Sequence, residues 1–135
     1  KIGEFLRDFG FITDQLRLFG YEVRVQEADA RRAALGLTAR VANIIAVRPG
    51  RRSEAIAIVS HYDSVPAGPG AGDDALGVGV SLEAARVLGA RADGTWTLMI
   101  LVTDGEERFA RVGPVFLGRA IEPLDVERVD IQVVA

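Results

Sequence analysis

Apolar positions along this chain change period several times, and each change marks an element. Phe5, Phe9, Ile12, Leu16 and Phe19 recur at steps of three and four, which predicts an amphipathic helix over Ile2–Phe19. Gly20 supplies its stop. Tyr21-Glu22-Val23-Arg24-Val25 then alternates in period two, the pattern of a half-exposed strand. Ala28–Thr38 is small and charged and is expected to be a loop or a hairpin crossing. Arg40–Val47 and Ala55–Ser60 are apolar runs of strand length, separated by a turn through Pro49-Gly50 and Arg51-Arg52-Ser53. So short a connection predicts that the two strands pair antiparallel.

The stretch Val65–Gly72 holds Pro66, Gly68, Pro69, Gly70 and Gly72 and excludes regular structure. Asp73 or Asp74 then caps a helix running to about Leu88. That helix is apolar round much of its circumference, which predicts deep packing, and Gly77 and Gly79 suggest the close approach of another backbone. Asp93-Gly94 turns into a strand over Thr95–Val102. A short helix from Glu107, interrupted at Gly113-Pro114 and resumed to Ala120, and a last strand over Val126–Val134 complete the pattern. The order is α/β, with an antiparallel hairpin at one side and parallel strands after it.

At 135 residues the chain forms a single domain. Its formal charge of -3 and its scattered arginines give no clustered basic face, so nucleic acid is not an expected partner. There is no cysteine, which excludes disulfides and thiolate ligands. No apolar run approaches the roughly 18 residues of a membrane helix, and no signal peptide is visible. The chain opens on Lys1 and closes inside a strand pattern at Val133-Val134-Ala135, so it is expected to be a piece of something longer.

Candidate chemistry concentrates in three places. His61, the one histidine, ends an apolar strand and is followed by Tyr62-Asp63-Ser64; Asp73-Asp74 follows a glycine-rich approach to a helix; Glu106-Glu107 follows another apolar strand. Each has a plain structural explanation: a hydrogen-bonded histidine, a helix cap with a first-turn acid, and acids at a helix start. Together they offer imidazole nitrogen and carboxylate oxygen, the donors of a catalytic zinc site. Asp63 is placed to fix the imidazole. Of two adjacent carboxylates on a turn, one can bind metal while the other faces water as a general base. Ser60 and Ser64 flank His61 but form no nucleophile elbow, and Gly68-x-Gly70-x-Gly72 lacks a Lys and is followed by two acids, which argues against phosphate.

His61-Tyr62-Asp63-Ser64-Val65-Pro66, Gly70-Ala71-Gly72-Asp73-Asp74-Ala75-Leu76-Gly77 and Asp104-Gly105-Glu106-Glu107 resemble, in order and spacing, the co-catalytic di-zinc aminopeptidase family. That family includes secreted bacterial leucyl aminopeptidases, glutamate carboxypeptidase II, glutaminyl cyclases and endoplasmic-reticulum metallopeptidases. Asn43-Ile44-Ile45-Ala46 and Gly113–Leu117 extend the likeness. The resemblance implies a three-layer α/β/α sandwich with a mixed central sheet, the zinc exopeptidase fold, here truncated to the N-terminal portion of a peptidase domain. It implies two zinc ions per complete site, with His61 on one, Glu107 on the other and Asp73 bridging both, Glu106 as general base, and Asp63 orienting His61. The implied reaction is exopeptidase hydrolysis of peptide substrates, of the aminopeptidase type, by a water activated between the metals. The family completes its site with a further acid and a second histidine that this chain does not contain, so the piece alone is expected to be inactive. The alternatives are a glutaminyl-cyclase-like acyltransferase and a non-catalytic module that keeps the fold. The resemblance favours an extracytoplasmic location and leaves room for a membrane region elsewhere in the full-length protein.

Overall fold

The computed structural model of the chain describes residues 8–52, 54–91, 93–109 and 128–133. Helix α1 (Phe9–Leu18) is capped by Asp8, whose carboxylate accepts the Phe11 N–H, and it ends at Phe19 with Gly20 at φ +87°. Strands β1 (Glu22–Arg32), β2 (Leu37–Arg48) and β3 (Glu54–His61) follow, then helix α2 (Leu76–Arg91), strand β4 (Thr97–Thr103), the short helix α3 (Glu106–Phe109) and strand β5 (Arg128–Val133). Ile2 and Phe5 of the first predicted helix, and the expectations at Gly113-Pro114 and Ala120, lie outside the described residues.

The five strands form one mixed sheet in the order β1-β2-β4-β3-β5. β1 and β2 are antiparallel, β2 and β4 antiparallel, and β3 runs parallel to both β4 and β5. Of the two readings of Ala28–Thr38, loop or hairpin crossing, the structure has the hairpin: β1 runs on to Arg32, a single 3-10 turn (Ala33–Leu35) reverses the chain with Gly36 at φ +62°, and β2 begins at Leu37. Small and charged residues were no obstacle, because this hairpin is held by backbone pairing across its whole length.

The predicted pairing of Arg40–Val47 with Ala55–Ser60 fails. The two strands do run in opposite directions, but β4 lies between them. The short connection spans that gap by crossing the entry to β4. Gly50 N–H donates to Thr97 Oγ1 at 2.9 Å, and the Arg51 and Arg52 N–H groups donate to the Gly94 and Thr95 carbonyls at 2.9 and 3.0 Å. A Cβ on Gly50 would fall on the Trp96–Thr97 backbone, so only glycine permits the crossing. The Arg52 guanidinium stacks over the Trp96 ring at 4.3 Å.

The central strands are buried on both faces, and side-chain alternation divides the core. Ile44, Ala46, Ile58, Leu98, Ile100 and Val102 face Ile12 and Leu16 of α1 and Val78, Leu82 and Ala85 of α2. Ile45, Val47, Ala57, Met99 and Leu101 form a second cluster on the opposite face. Every residue of β4 is buried, as suits a central strand covered on both sides. Helix α2 is less deeply packed than its sequence predicted: Leu76, Val80 and Leu88 are exposed along its outer side. Among the described residues no helix is long and apolar enough to cross a membrane.

Candidate metal centre

Parallel pairing brings the first and third clusters together. β3 and β4 are in register with His61 opposite Thr103, so both strands release their chains at the same sheet edge. Such carboxyl edges are where α/β sheets build sites. His61 is the last residue of β3 and its side chain is only 13% exposed. Its Nδ1 lies 3.2 Å from the Asp63 carbonyl and 3.4 Å from the Asp63 carboxylate; its Nε2 lies 3.0 Å from Asp73 Oδ1.

The glycine-rich approach exists to turn the chain sharply. Gly70 has φ +63°, and a Cβ there would meet Ser64 Cβ at 2.6 Å. A wide turn over Ala71–Ala75 follows, closed by Ala75 N–H on the Gly70 carbonyl at 3.0 Å, and the Asp73–Asp74 peptide is cis. The two acids then part company. Asp73 is 79% exposed beside His61 Nε2. Asp74 is 3% exposed, and its carboxylate accepts the His61 N–H at 3.1 Å and the Gly77 N–H at 2.9 Å. Asp74 therefore caps α2 and holds the end of β3 at once. The group that approaches Gly77 is this carboxylate, on which a Cβ would sit, and not another backbone.

Asp63 has a role that sequence reasoning saw only in part. Besides lying against His61, its two carboxylate oxygens accept the N–H groups of Glu106 (3.2 Å) and Glu107 (3.1 Å). It ties the β3 half of the site to the β4 half. Burial opposes ionisation of Asp63, but the His61 ring and these two N–H groups outweigh it and hold the carboxyl below its ordinary range. The Asp63 carboxylate in turn raises His61 to about 9, against partial burial. Glu107 is held above the usual carboxyl range, first by loss of hydration and then by the charges of Asp73 and Glu106.

His61, Asp73 and Glu107 each offer a donor atom, and these atoms lie within 4.8 Å of one another. The set fits zinc on three grounds. Imidazole and carboxylates are its usual ligands, and two donors on one tetrahedral zinc sit roughly 3.3 Å apart, close to the His61–Asp73 separation of 3.0 Å. The acceptors around Nδ1 leave Nε2 to turn a lone pair toward Asp73 and Glu107 once its proton is lost. Behind loss of hydration, repulsion from Asp73 and Glu106 also raises Glu107, and a cation relieves that repulsion. Glu106 is exposed and stands next to this trio without belonging to it.

Three further residues support the same edge. Asn43, 3% exposed, accepts the Asp104 N–H at 2.9 Å; Asp104 accepts the Ala42 N–H at 3.0 Å; Tyr62 OH donates to the Ala42 carbonyl at 2.8 Å. Burial first, then the nearby Asp104 and Asp63 charges, push the Tyr62 phenol up. The available signal was Asn43 itself, an amide inside an apolar strand. Asp63, Ser64, Asp104, Gly105 and the β2 residues Ala39, Arg40 and Val41 line a cleft of about 200 Å³ beside the site.

The model of the family described as "Peptidase family M28" matches residues 43–118, which include all three clusters, that of His61 among them. No curated protein matches the chain significantly. Among solved structures, the chain is similar to a glutaminyl cyclase from Porphyromonas gingivalis, at 31% identity and TM-score 0.67 over 76% of this chain and 37% of that one. It is similar to a Zn-dependent exopeptidase from Parabacteroides distasonis, at 27% identity and TM-score 0.61 over 76% of this chain and 40% of that one. It is similar as well to an aminopeptidase from Aneurinibacillus sp. strain AM-1, at 29% identity and TM-score 0.61 over 72% of this chain and 24% of that one. The chain thus spans well under half the length of each of these three structures.

Proposed function

The chain belongs to peptidase family M28, and from that premise we propose that it carries the His61 side of a zinc exopeptidase site of the aminopeptidase type. The observation that carries this reading is the convergence of His61, Asp73 and Glu107 at one sheet edge, with Glu106 beside them. His61 and Glu107 would each hold a zinc ion and Asp73 would bridge the two. Bound there, zinc would supply a Lewis acid for the scissile carbonyl and would lower the pKa of water.

The chain's own residues do the rest. Glu106 is the general base: it takes a proton from the attacking water and returns it to the amine nitrogen as the C–N bond breaks. Asp63 holds the His61 ring through Nδ1 and fixes the Glu106 and Glu107 backbone through its carboxylate, so base and ligands keep one relative placement. Asp74 anchors the His61 backbone from the other side.

A second reading is favoured by the 31% identity to a glutaminyl cyclase. In that reaction the substrate's own amine attacks its side-chain amide carbonyl, and the same base passes the amine proton to the departing NH2 so that ammonia leaves as the amide C–N bond breaks. One assay separates the two in the full-length protein that carries this chain: release of nitroaniline from aminoacyl-nitroanilides against cyclisation of an N-terminal glutaminyl peptide. Glu106→Gln should lower turnover by about 10²–10⁴-fold with zinc content unchanged, whereas Glu107→Gln should deplete zinc. Near-normal turnover in Glu106→Gln would remove the proton-transfer role. Loss of zinc from Glu106→Gln and not from Glu107→Gln would show the two roles exchanged. If neither substrate is turned over, the module is not catalytic.

A further inference from the structure

We propose that Asp104, together with Asn43, is a positioning residue for Glu106 and Glu107: it locks the turn that carries both carboxylates onto β2, on the opposite side from Asp63. The roles of the two glutamates rest on the reading above; the lock itself rests on geometry. The β2–β4 ladder ends at the pair Ile44 and Val102. Past that point β2 continues against β1 alone, while the chain leaving β4 must turn into α3. Side chains take over where backbone pairing stops. Asn43 Oδ1 accepts the Asp104 N–H, and Asp104 Oδ2 accepts the Ala42 N–H. Asn43 Nδ2 reaches Gln26 on β1 at 3.4 Å. Tyr62, next to His61, holds the carbonyl end of Ala42. Ala42 is thus gripped by the segment carrying His61 and by the segment carrying the glutamates. Immediately after Asp104, buried Gly105 at φ +80° swings the chain so that Glu106 and Glu107 present their N–H groups to Asp63.

Asp63 alone would hold this turn from one side only. Without the Asp104 carboxylate, Ala42 N–H loses its partner and the turn keeps only the Asn43 bond to β2. A displacement on the order of an ångström at a reacting group costs about 10²-fold in rate. Loss of a residue that orients a metal ligand costs about 10–100-fold in metal affinity. Asp104 also lines the cleft beside the site, so direct contact with substrate is the rival role.

The test uses the full-length protein and three readouts: kcat and KM on the aminoacyl-nitroanilide or glutaminyl peptide, zinc affinity by competition with a chromophoric chelator, and Tm of the metal-free form. Asp104→Ala should lower kcat by about 10–100-fold, leave KM within about two-fold, and weaken zinc binding by about 10-fold or more. Asp104→Asn should restore most of both, because its amide oxygen can still accept the Ala42 N–H. Should Asp104→Ala fail to fold, Asn43→Ala is the variant read, with losses in the same direction. A lowered Tm with kcat and zinc affinity unchanged would overturn the proposal, as would a rise in KM alone, or Asp104→Asn behaving like Asp104→Ala. If the wild type turns over neither substrate while zinc affinity falls in Asp104→Ala and returns in Asp104→Asn, the reaction assignment fails and the positioning role stands.

Discussion

Asp74 offers the sharpest test of how this site is braced. Its carboxylate is 3% exposed and accepts two backbone N–H groups, from His61 and Gly77. Hydrogen bonds to a charged acceptor contribute about 1.5–3 kcal/mol each. Asp74→Ala removes both and also removes the cost of burying the carboxylate, so a net loss of about 3 kcal/mol is expected. Asp74→Asn keeps one acceptor and turns an NH2 toward the other donor, for a loss of about 1–2 kcal/mol. Against a typical stability of about 5–15 kcal/mol these are large fractions. They correspond to a drop in Tm of about 10–15 °C for the alanine variant. Urea denaturation of the metal-free protein, followed by circular dichroism, should show the midpoint moving with the slope unchanged. Gly77 provides the internal control. A Cβ there lands on the Asp74 carboxylate, so Gly77→Ala should destabilise the wild type. With Asp74→Ala already present the clash is gone, and the same change should be neutral or stabilising by up to about 1 kcal/mol from helix propensity. Additive effects of Asp74→Ala and Gly77→Ala, or a loss below about 0.5 kcal/mol for Asp74→Ala alone, would refute the reasoning.

Three further outcomes are expected. In the metal-free protein His61 binds its proton up to about 9 in the folded state, against about 6.5 unfolded. The His61–Asp63 pair therefore contributes its full stability below about pH 6.5 and loses it as pH rises toward 9; Asp63, held low, contributes above its unfolded pKa and loses this as acid protonates it. Urea melts in chelator across pH 6–9 should show stability falling, whereas the stabilisation given by added zinc should rise over the same span, since zinc displaces the proton; parallel trends would contradict the assignment of Nε2 as the donor. Asp63→Asn should weaken zinc binding by about 10–100-fold as measured by calorimetry, and an unchanged affinity would mean that Asp63 is not what orients His61. Gly50→Ala should cost about 1–3 kcal/mol in a thermal melt because its Cβ meets the Trp96–Thr97 backbone; a neutral result would mean that the β2–β3 connection does not cross where the structure has it.

Much of this fold could be read from local pattern. The helix over the first segment, the strands at Arg40–Val47, Ala55–Ser60 and Thr95–Val102, and the helix after Asp73-Asp74 all occur with shifted ends. These segments are strongly periodic or continuously apolar, and burial then leaves them one choice. In the Ala28–Thr38 segment the same logic left loop and hairpin open, because its strand character comes from pairing with a neighbour and not from its own side chains. The metal-site candidates were readable as three clusters, since the chemistry demands rare residue types at strand ends. Asn43, Asp104 and Tyr62 were not, because their partners are backbone groups up to 62 residues away, which no spacing rule reveals.

Local residue order carries the inventory: which runs are apolar with which period, where glycine permits a turn, and which imidazole and carboxylates are available. Tertiary structure decided adjacency. A tight turn between β2 and β3 argued for pairing, yet β4 enters between them, because a fully buried strand with the apolar run Leu98–Val102 gains most at the centre of the sheet and Gly50 lets the connection pass over its start. The same insertion sets β4 parallel to β3 and in register with it, and only that register brings Glu107 to the edge where His61 ends. How the Asp73-Asp74 pair divides likewise has its reason in three dimensions. Two buried N–H groups needed an acceptor, Asp74 is the carboxylate within reach of both, and Asp73 is left exposed beside the imidazole.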